Sequence, residues 1–177
     1  MNMILDKLSS ESIFGADFTI LQPILTPAGG GIAMNMGDHR VEFALTAAQT
    51  GGIFSLFHMD ADFDAATPPH IHTREDETFY VLEGQFSFWV DGEILVANPG
   101  DTVFAPRDIP HLWRCISPEG GKALVLVTPG GFENFFIELL TAMHTPTQNA
   151  AHVPDGATNA SVGAVFGKYG LLPAEVK

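Results

Sequence analysis

His70 and His72 stand one residue apart in the stretch Pro68–Glu83. Residues i and i+2 of an extended strand share a face, so the two imidazoles aim at one point. A short charged run, Thr73-Arg74-Glu75-Asp76, separates them from Glu77. Glu77 opens the β-rich run Thr78-Phe79-Tyr80-Val81-Leu82 and can return a carboxylate to the same point. Two nitrogens and an oxygen converging in a folded interior make a site for a first-row divalent metal. The candidate for a fourth ligand is His111, which follows a Pro-Gly-Asp turn and a Pro-bracketed loop. It begins a strand that an antiparallel barrel can lay beside His70 and His72. Three imidazoles and one carboxylate suit a single divalent transition metal, Fe, Ni, Mn, Co, Cu or Zn, at a site that keeps open positions.

Such a site needs short strands that hold their side chains in fixed parity. Arg40–Ala47 alternates Val41, Phe43 and Leu45 against Glu42, Ala44 and Thr46, the pattern of a half-buried strand. Gln49-Thr50-Gly51-Gly52 turns the chain into a second strand, Ile53–Met59. Asp60–Pro69 is a polar, Pro-ended loop leading to His70. Strands then follow quickly at Thr78–Leu82, Gln85–Val90, Glu93–Ala97, Thr102–Ala105, His111–Ile116 and Lys122–Thr128, separated by turns rich in Gly, Pro and Asp. Before them, Asp17–Leu25 reads as an edge strand, with Pro23 in it, and Pro27–Gly31 as a loop. Strands this short and regularly punctuated predict an antiparallel sandwich or barrel.

After Gly130-Gly131 the period changes. Phe132, Phe135, Phe136, Leu139, Leu140 and Met143 recur at helical spacing and predict a helix ending before Pro146. Residues 145–157 read as a polar loop. Val162, Val165, Phe166 and Tyr169 predict a second, shorter helix stopped at Gly170. Both helices read as packing elements. The organisation expected is one domain over 1–177: an N-terminal arm at 1–39, a barrel core at about 40–130 and a helical segment at 131–177.

Composition narrows the function. With 8 Lys+Arg against 21 Asp+Glu, the formal net charge is −13, and no basic cluster is present. That disfavours nucleic acid and anionic membranes as partners. Cys115 is the only cysteine, so no intramolecular disulfide forms. The N-terminus shows no basic region followed by an apolar run, and no apolar stretch approaches the length of a membrane span. A cytoplasmic location is the expectation.

His70-x-His72, four residues, Glu77, six residues, Gly84 resembles the first motif of the cupin superfamily, and Gly100-Asp101, Pro106 and His111 resemble the second. The likeness covers about residues 40–130. It implies an all-β double-stranded β-helix, or jelly roll, with C-terminal helices, and makes His70, His72, Glu77 and His111 the metal ligands. The second motif departs at Asp108, where the family often has Gly, and at Cys115, where it often has Asn. Asp tolerates left-handed backbone, so the turn survives. Cys115 shares a face with His111 and reads as a small buried hydrophobe. His39, His58, His144 and His152 lie outside the pattern and read as surface or loop residues.

Parity also suggests the walls of a cavity. Phe79 and Val81 share the face of Glu77, and Trp113 shares that of His111. One of the sets Phe86/Phe88 and Ser87/Trp89 faces in. Phe57, Phe79, Phe88, Phe104 and Trp113 are the candidates for an aromatic pocket, although each is equally at home as core.

The whole layout, with its Gly130–Phe132 linker, Phe-rich helix and Lys168-Tyr-Gly-Leu segment, is similar to single-domain quercetin 2,3-dioxygenase-like cupins. That likeness implies a metal-dependent dioxygenase acting on a flavonol-like or other enolisable aromatic, with O2 as co-substrate. Glu77 would be both ligand and general base, and the protein a homodimer, with the N-terminal segment crossing to the partner. The alternatives are a non-oxidative metal-dependent isomerase or decarboxylase, and a non-catalytic small-molecule binder.

Overall fold

In the computed structural model, residues 21–144 and 160–176 are described. Their short apolar runs form strands β1 (Ile32–Asn35), β2 (His39–Leu45), β3 (Ser55–Ala61), β4 (His70–His72), β5 (Asp76–Glu83), β6 (Phe86–Val90), β7 (Glu93–Ala97), β8 (Thr102–Ala105), β9 (His111–Cys115), β10 (Gly121–Thr128) and β11 (Leu171–Pro173). One antiparallel sheet runs in the order β1-β2-β3-β10-β5-β8 and the other in the order β11-β4-β9-β6-β7. The two sheets face each other as a jelly roll. Helices α2 (Glu133–His144) and α3 (Ala160–Tyr169) follow it, and α1 (Ala47–Thr50) is a single turn after β2.

Strict alternation builds the core. Along β5, Glu77, Phe79 and Val81 are buried while Tyr80 and Leu82 are exposed. Along β10, Ala123, Val125 and Val127 point inward, and each is paired with a β5 residue of the same parity. In β6 the inward set is Phe86/Phe88. Trp89 is buried as well, but from the opposite face, in a surface depression it shares with Ile71, Pro110, Ala174 and Glu175.

Turn chemistry closes the hairpins. Asp91 and Gly92 both have positive φ (47° and 92°), as a two-residue hairpin turn between β6 and β7 requires. Gly84 has φ 72°, and a Cβ there would collide with the Gly120 carbonyl oxygen, so the motif glycine has a packing reason as well as a backbone one. Asp108 does adopt the left-handed region, at φ 64°, and its N–H donates to the His72 carbonyl at 2.7 Å.

Several expectations are corrected. Asp17–Leu25 forms no strand where it is described, at 21–25, and residues 1–20 lie outside the described residues. The first strand among the described residues is Ile32–Asn35, inside the stretch expected as an arm; its short apolar pattern is completed only by pairing with β2. Gln49 and Thr50 belong to α1, ended by left-handed Gly51. The second expected strand begins at Ser55 rather than Ile53, which is 61% exposed. Met143, placed on the apolar stripe of α2, is exposed at its last turn. His39 is a strand residue whose ring meets Trp113 edge-on at 5.2 Å, whereas His58 is exposed as expected. The loop expected at 145–157, with His152, lies outside the described residues.

Candidate metal centre

Both sheets contribute to one buried cluster. His70 and His72 occupy the two inward positions of the three-residue strand β4. His111, the first residue of β9, lies directly opposite His70 in the antiparallel pair. Glu77 comes from the facing sheet, paired with Val127 of β10 and Ala105 of β8. All four side chains are buried, and their ligand atoms lie within 4.8 Å of one another.

Hydrogen bonds set which ring nitrogens face the centre. His70 Nδ1 donates to the Pro68 carbonyl at 2.8 Å, and His111 Nδ1 donates to the Ile109 carbonyl at 2.9 Å. Each bond puts the proton on the outer nitrogen and leaves the Nε2 lone pair pointing inward. His70 Nε2 and His72 Nε2 are 3.1 Å apart. His111 Nε2 is 3.3 Å from Glu77 Oε2, and His72 Nε2 is 3.7 Å from it. Two ring nitrogens this close repel unless a proton or a cation lies between them. Ligands about 2.1 Å from a common ion stand roughly 3.0–3.4 Å apart at octahedral or tetrahedral angles. The three imidazoles and the carboxylate therefore fit a divalent transition metal.

The electrostatics agree. Burial pushes the His70 pKa down to about 4, helped by the neighbouring His72 and His111 and opposed by Glu77, so His70 is a neutral donor at ordinary pH. Burial also works against charge on His72, but Glu77 and Glu75 outweigh it and leave its pKa raised. Burial opposes the charge on Glu77 too; the neighbouring His72 and His111 prevail and hold it at about 2. The centre thus pairs an anionic carboxylate with an imidazole whose protonation that carboxylate favours, and a divalent metal would compete with a proton there.

Aromatic residues surround the ligands. Phe79 and Trp113 each lie one inward position beyond a ligand on the same strand, and Phe79 meets Phe88 at 5.0 Å. Phe57 belongs to a cluster with Phe43 and with Phe136 of α2. Phe104 is corrected: it is 57% exposed, because β8 turns Val103 and Ala105 inward and Phe104 therefore outward. Cys115 shares the face of His111 and is fully buried, but four residues of strand set it on the order of 13 Å away.

Two residues beside the centre escaped the sequence analysis. Phe132, read as linker and packing, has its ring 4.9 Å from that of His72 and stacks on Phe135 at 5.1 Å. Glu75, read as part of a charged turn, is buried with Oε2 3.5 Å from His72 Nδ1. Its i,i+3 spacing from His72 was the available signal. β11 also went unread; it pairs with β4 and covers the free edge of the His-x-His strand.

Residues 57–127 match the family described as the cupin domain. Over these residues the barrel is a cupin domain. Among relatives of this chain, quercetin 2,3-dioxygenase of Bacillus subtilis (strain 168) is 31% identical over 114 residues, 64% of this chain and 34% of that protein. An uncharacterized Aquifex aeolicus protein is 33% identical over 73 residues, 40% of this chain and 60% of its own length. The chain thus spans less than two thirds of either relative. Among solved structures, KdgF from Halomonas sp. superposes with a TM-score of 0.57 at 19% identity, covering 64% of this chain and 99% of that one. An RmlC-like cupin from Shewanella frigidimarina gives 0.52 at 24% identity, covering 60% and 91%. These two likenesses concern the fold alone. No helix among the described residues is long and apolar enough to cross a membrane.

Proposed function

We propose that this cupin is a metal-dependent dioxygenase acting on a flavonol-like or other enolisable aromatic molecule. The observation that carries this reading is the inward convergence of three Nε2 atoms and the Glu77 carboxylate within 4.8 Å, in a setting of aromatic side chains. The likeness to the Bacillus subtilis quercetin 2,3-dioxygenase supports the choice of reaction. When bound, a divalent transition metal supplies Lewis acidity toward an enolisable hydroxyl and redox chemistry toward O2.

The chain's own residues do the rest. His70, His72 and His111 would hold the ion, and a hydrogen bond on the other side of the ring fixes the direction of the His70 and His111 nitrogens. Glu77, ionised throughout the neutral range, is in the state that accepts the substrate hydroxyl proton. Phe132 offers its ring beside His72 as a wall that excludes water and aligns a planar substrate.

The test is O2 consumption by apoprotein reconstituted separately with Fe, Ni, Co, Mn and Cu, across a panel of flavonols, catechols and diketones. Uptake coupled to substrate loss is expected with at least one pair. No uptake with any pair would overturn the dioxygenase reading. Anaerobic turnover would reassign the site to non-oxidative Lewis-acid chemistry, and tight binding without product would make the protein a small-molecule binder.

A further inference from the structure

His72 differs from the other two imidazoles in what stands behind it. His70 and His111 each give their Nδ1 proton to a backbone carbonyl two residues earlier. His72 Nδ1 is buried with no hydrogen-bond partner, and so is Glu75 Oε2, among the described residues. These two orphaned atoms face each other at 3.5 Å. Buried polar groups are rarely left unpaired, and a shift of a few tenths of an ångström would pair these two.

Glu75 is placed for this by anchors on both sides. Thr73 is tied to the Gly170 carbonyl through its N–H at 3.0 Å and its hydroxyl at 2.8 Å. Asp76 receives the Arg107 guanidinium through Nε at 3.0 Å and Nη2 at 2.7 Å, so that cation is directed to Asp76. The turn between the two ligand-bearing strands is therefore held at residues 73 and 76, with Glu75 directed inward between them.

We propose that Glu75 is a positioning residue of the metal centre: its carboxylate accepts the Nδ1 proton of His72 and holds that ring with Nε2 turned to the ion. A carboxylate behind an imidazole fixes the tautomer and raises the basicity of the ligating nitrogen. It also completes the set, since all three rings then have an acceptor on the outer nitrogen. The assignment rests on the metal reading of the site and is independent of the substrate.

The experiment measures zinc affinity by chelator competition in the wild type, Glu75→Ala and Glu75→Gln, with ring-nitrogen NMR of the zinc-loaded proteins. In the wild type, His72 is expected to show its proton on Nδ1; a proton on Nε2 overturns the assignment without any variant. Glu75→Ala is expected to bind zinc about tenfold to a hundredfold more weakly, and a smaller loss overturns it. Glu75→Gln keeps an acceptor oxygen at the same reach and is expected to bind better than Glu75→Ala; a Gln variant no better than Ala overturns the hydrogen-bond role. Should Glu75→Ala fail to fold, Glu75→Gln decides by NMR, since it must retain the Nδ1 proton on His72. Failure of the wild type to bind zinc or any other divalent transition metal would instead remove the metal reading on which the assignment stands.

Discussion

Leu171 lies directly opposite His72 in the antiparallel pair of β11 with β4. A segment about a hundred residues away in the chain thus backs the strand that carries two ligands. Leu171 is buried, and the adjacent contacts from Thr73 to Gly170 and from Ala174 N–H to the Pro69 carbonyl frame β4 at both ends. Leu171→Ala should cost roughly 2–4 kcal/mol in urea unfolding. Because the lost packing supports β4, zinc affinity should fall as well. Unchanged affinity would mean that β9 alone holds His70 and His72.

Glu77 is the only ligand from the facing sheet, so it joins the two halves of the centre. Glu77→Ala leaves three imidazoles on one side. Metal affinity should drop by more than about a hundredfold, beyond the usual effect of losing an outer partner. Turnover should vanish with it, while far-UV circular dichroism stays that of the wild type. Retained metal with lost turnover would instead make Glu77 a proton acceptor without a ligand role.

Much of this site was legible because β-sheet parity is rigid. His-x-His, Glu77 and His111 needed only alternation and turns to be placed, and the structure brings all four together. Phe104 misled for the same reason: parity gives two faces, and nothing local in Thr102–Ala105 says which is inward until β8 pairs with β5. Glu75, with only its spacing from His72 as a signal, and Phe132 were hard to read for another reason. Their roles depend on where a turn and a helix dock, which is set by long-range contacts. β11 was too short and too proline-marked to read as a strand without its partner β4.

Phe132 sits at the meeting point of helix and centre. Its ring stacks on Phe135, meets Phe136 edge-on at 5.2 Å and approaches His72. Phe132→Ala should destabilise by about 3–5 kcal/mol, as for other buried aromatics. Phe132→Leu keeps most of the volume and is the better functional test. With metal content unchanged, KM for an aromatic substrate should rise severalfold while that for a small aliphatic diketone moves little. Equal changes for both would make Phe132 a packing residue only.

The N-terminal end of α2 is tied to the first sheet by Glu133. Its carboxylate accepts from Ser55 Oγ at 2.5 Å and from the Ala47 N–H at 2.8 Å, and Ser55 Oγ in turn accepts from the Gly131 N–H at 3.0 Å. This buried group holds the start of the helix that presents Phe132. Glu133→Leu removes the acceptor and leaves the buried Ser55 hydroxyl and the part-buried Ala47 N–H unsatisfied. A loss of about 2–4 kcal/mol is expected in chemical denaturation, and Ser55→Ala should recover part of it in the double variant. Strict additivity of the two substitutions would argue against a shared network.

The metal-free protein should lose stability on mild acidification, chiefly through His70. Its folded pKa of about 4 lies below the ordinary value of 6.5, so the unfolded chain takes up a proton first. Stability from this residue is full above about pH 6.5 and is lost as pH falls toward 4, by up to on the order of 3 kcal/mol. His72 works in the other direction: its raised pKa gives stability that is complete below about pH 6.5 and is lost as pH rises above it. Glu77, held at about 2, contributes stability above about pH 4.5 that falls away only at lower pH. Between pH 6.5 and 4.5 His70 therefore dominates the slope. Urea unfolding of apoprotein across that interval should show stability falling with acid, and His70→Gln should flatten the curve. A slope that persists unchanged in His70→Gln would assign the proton uptake to another group.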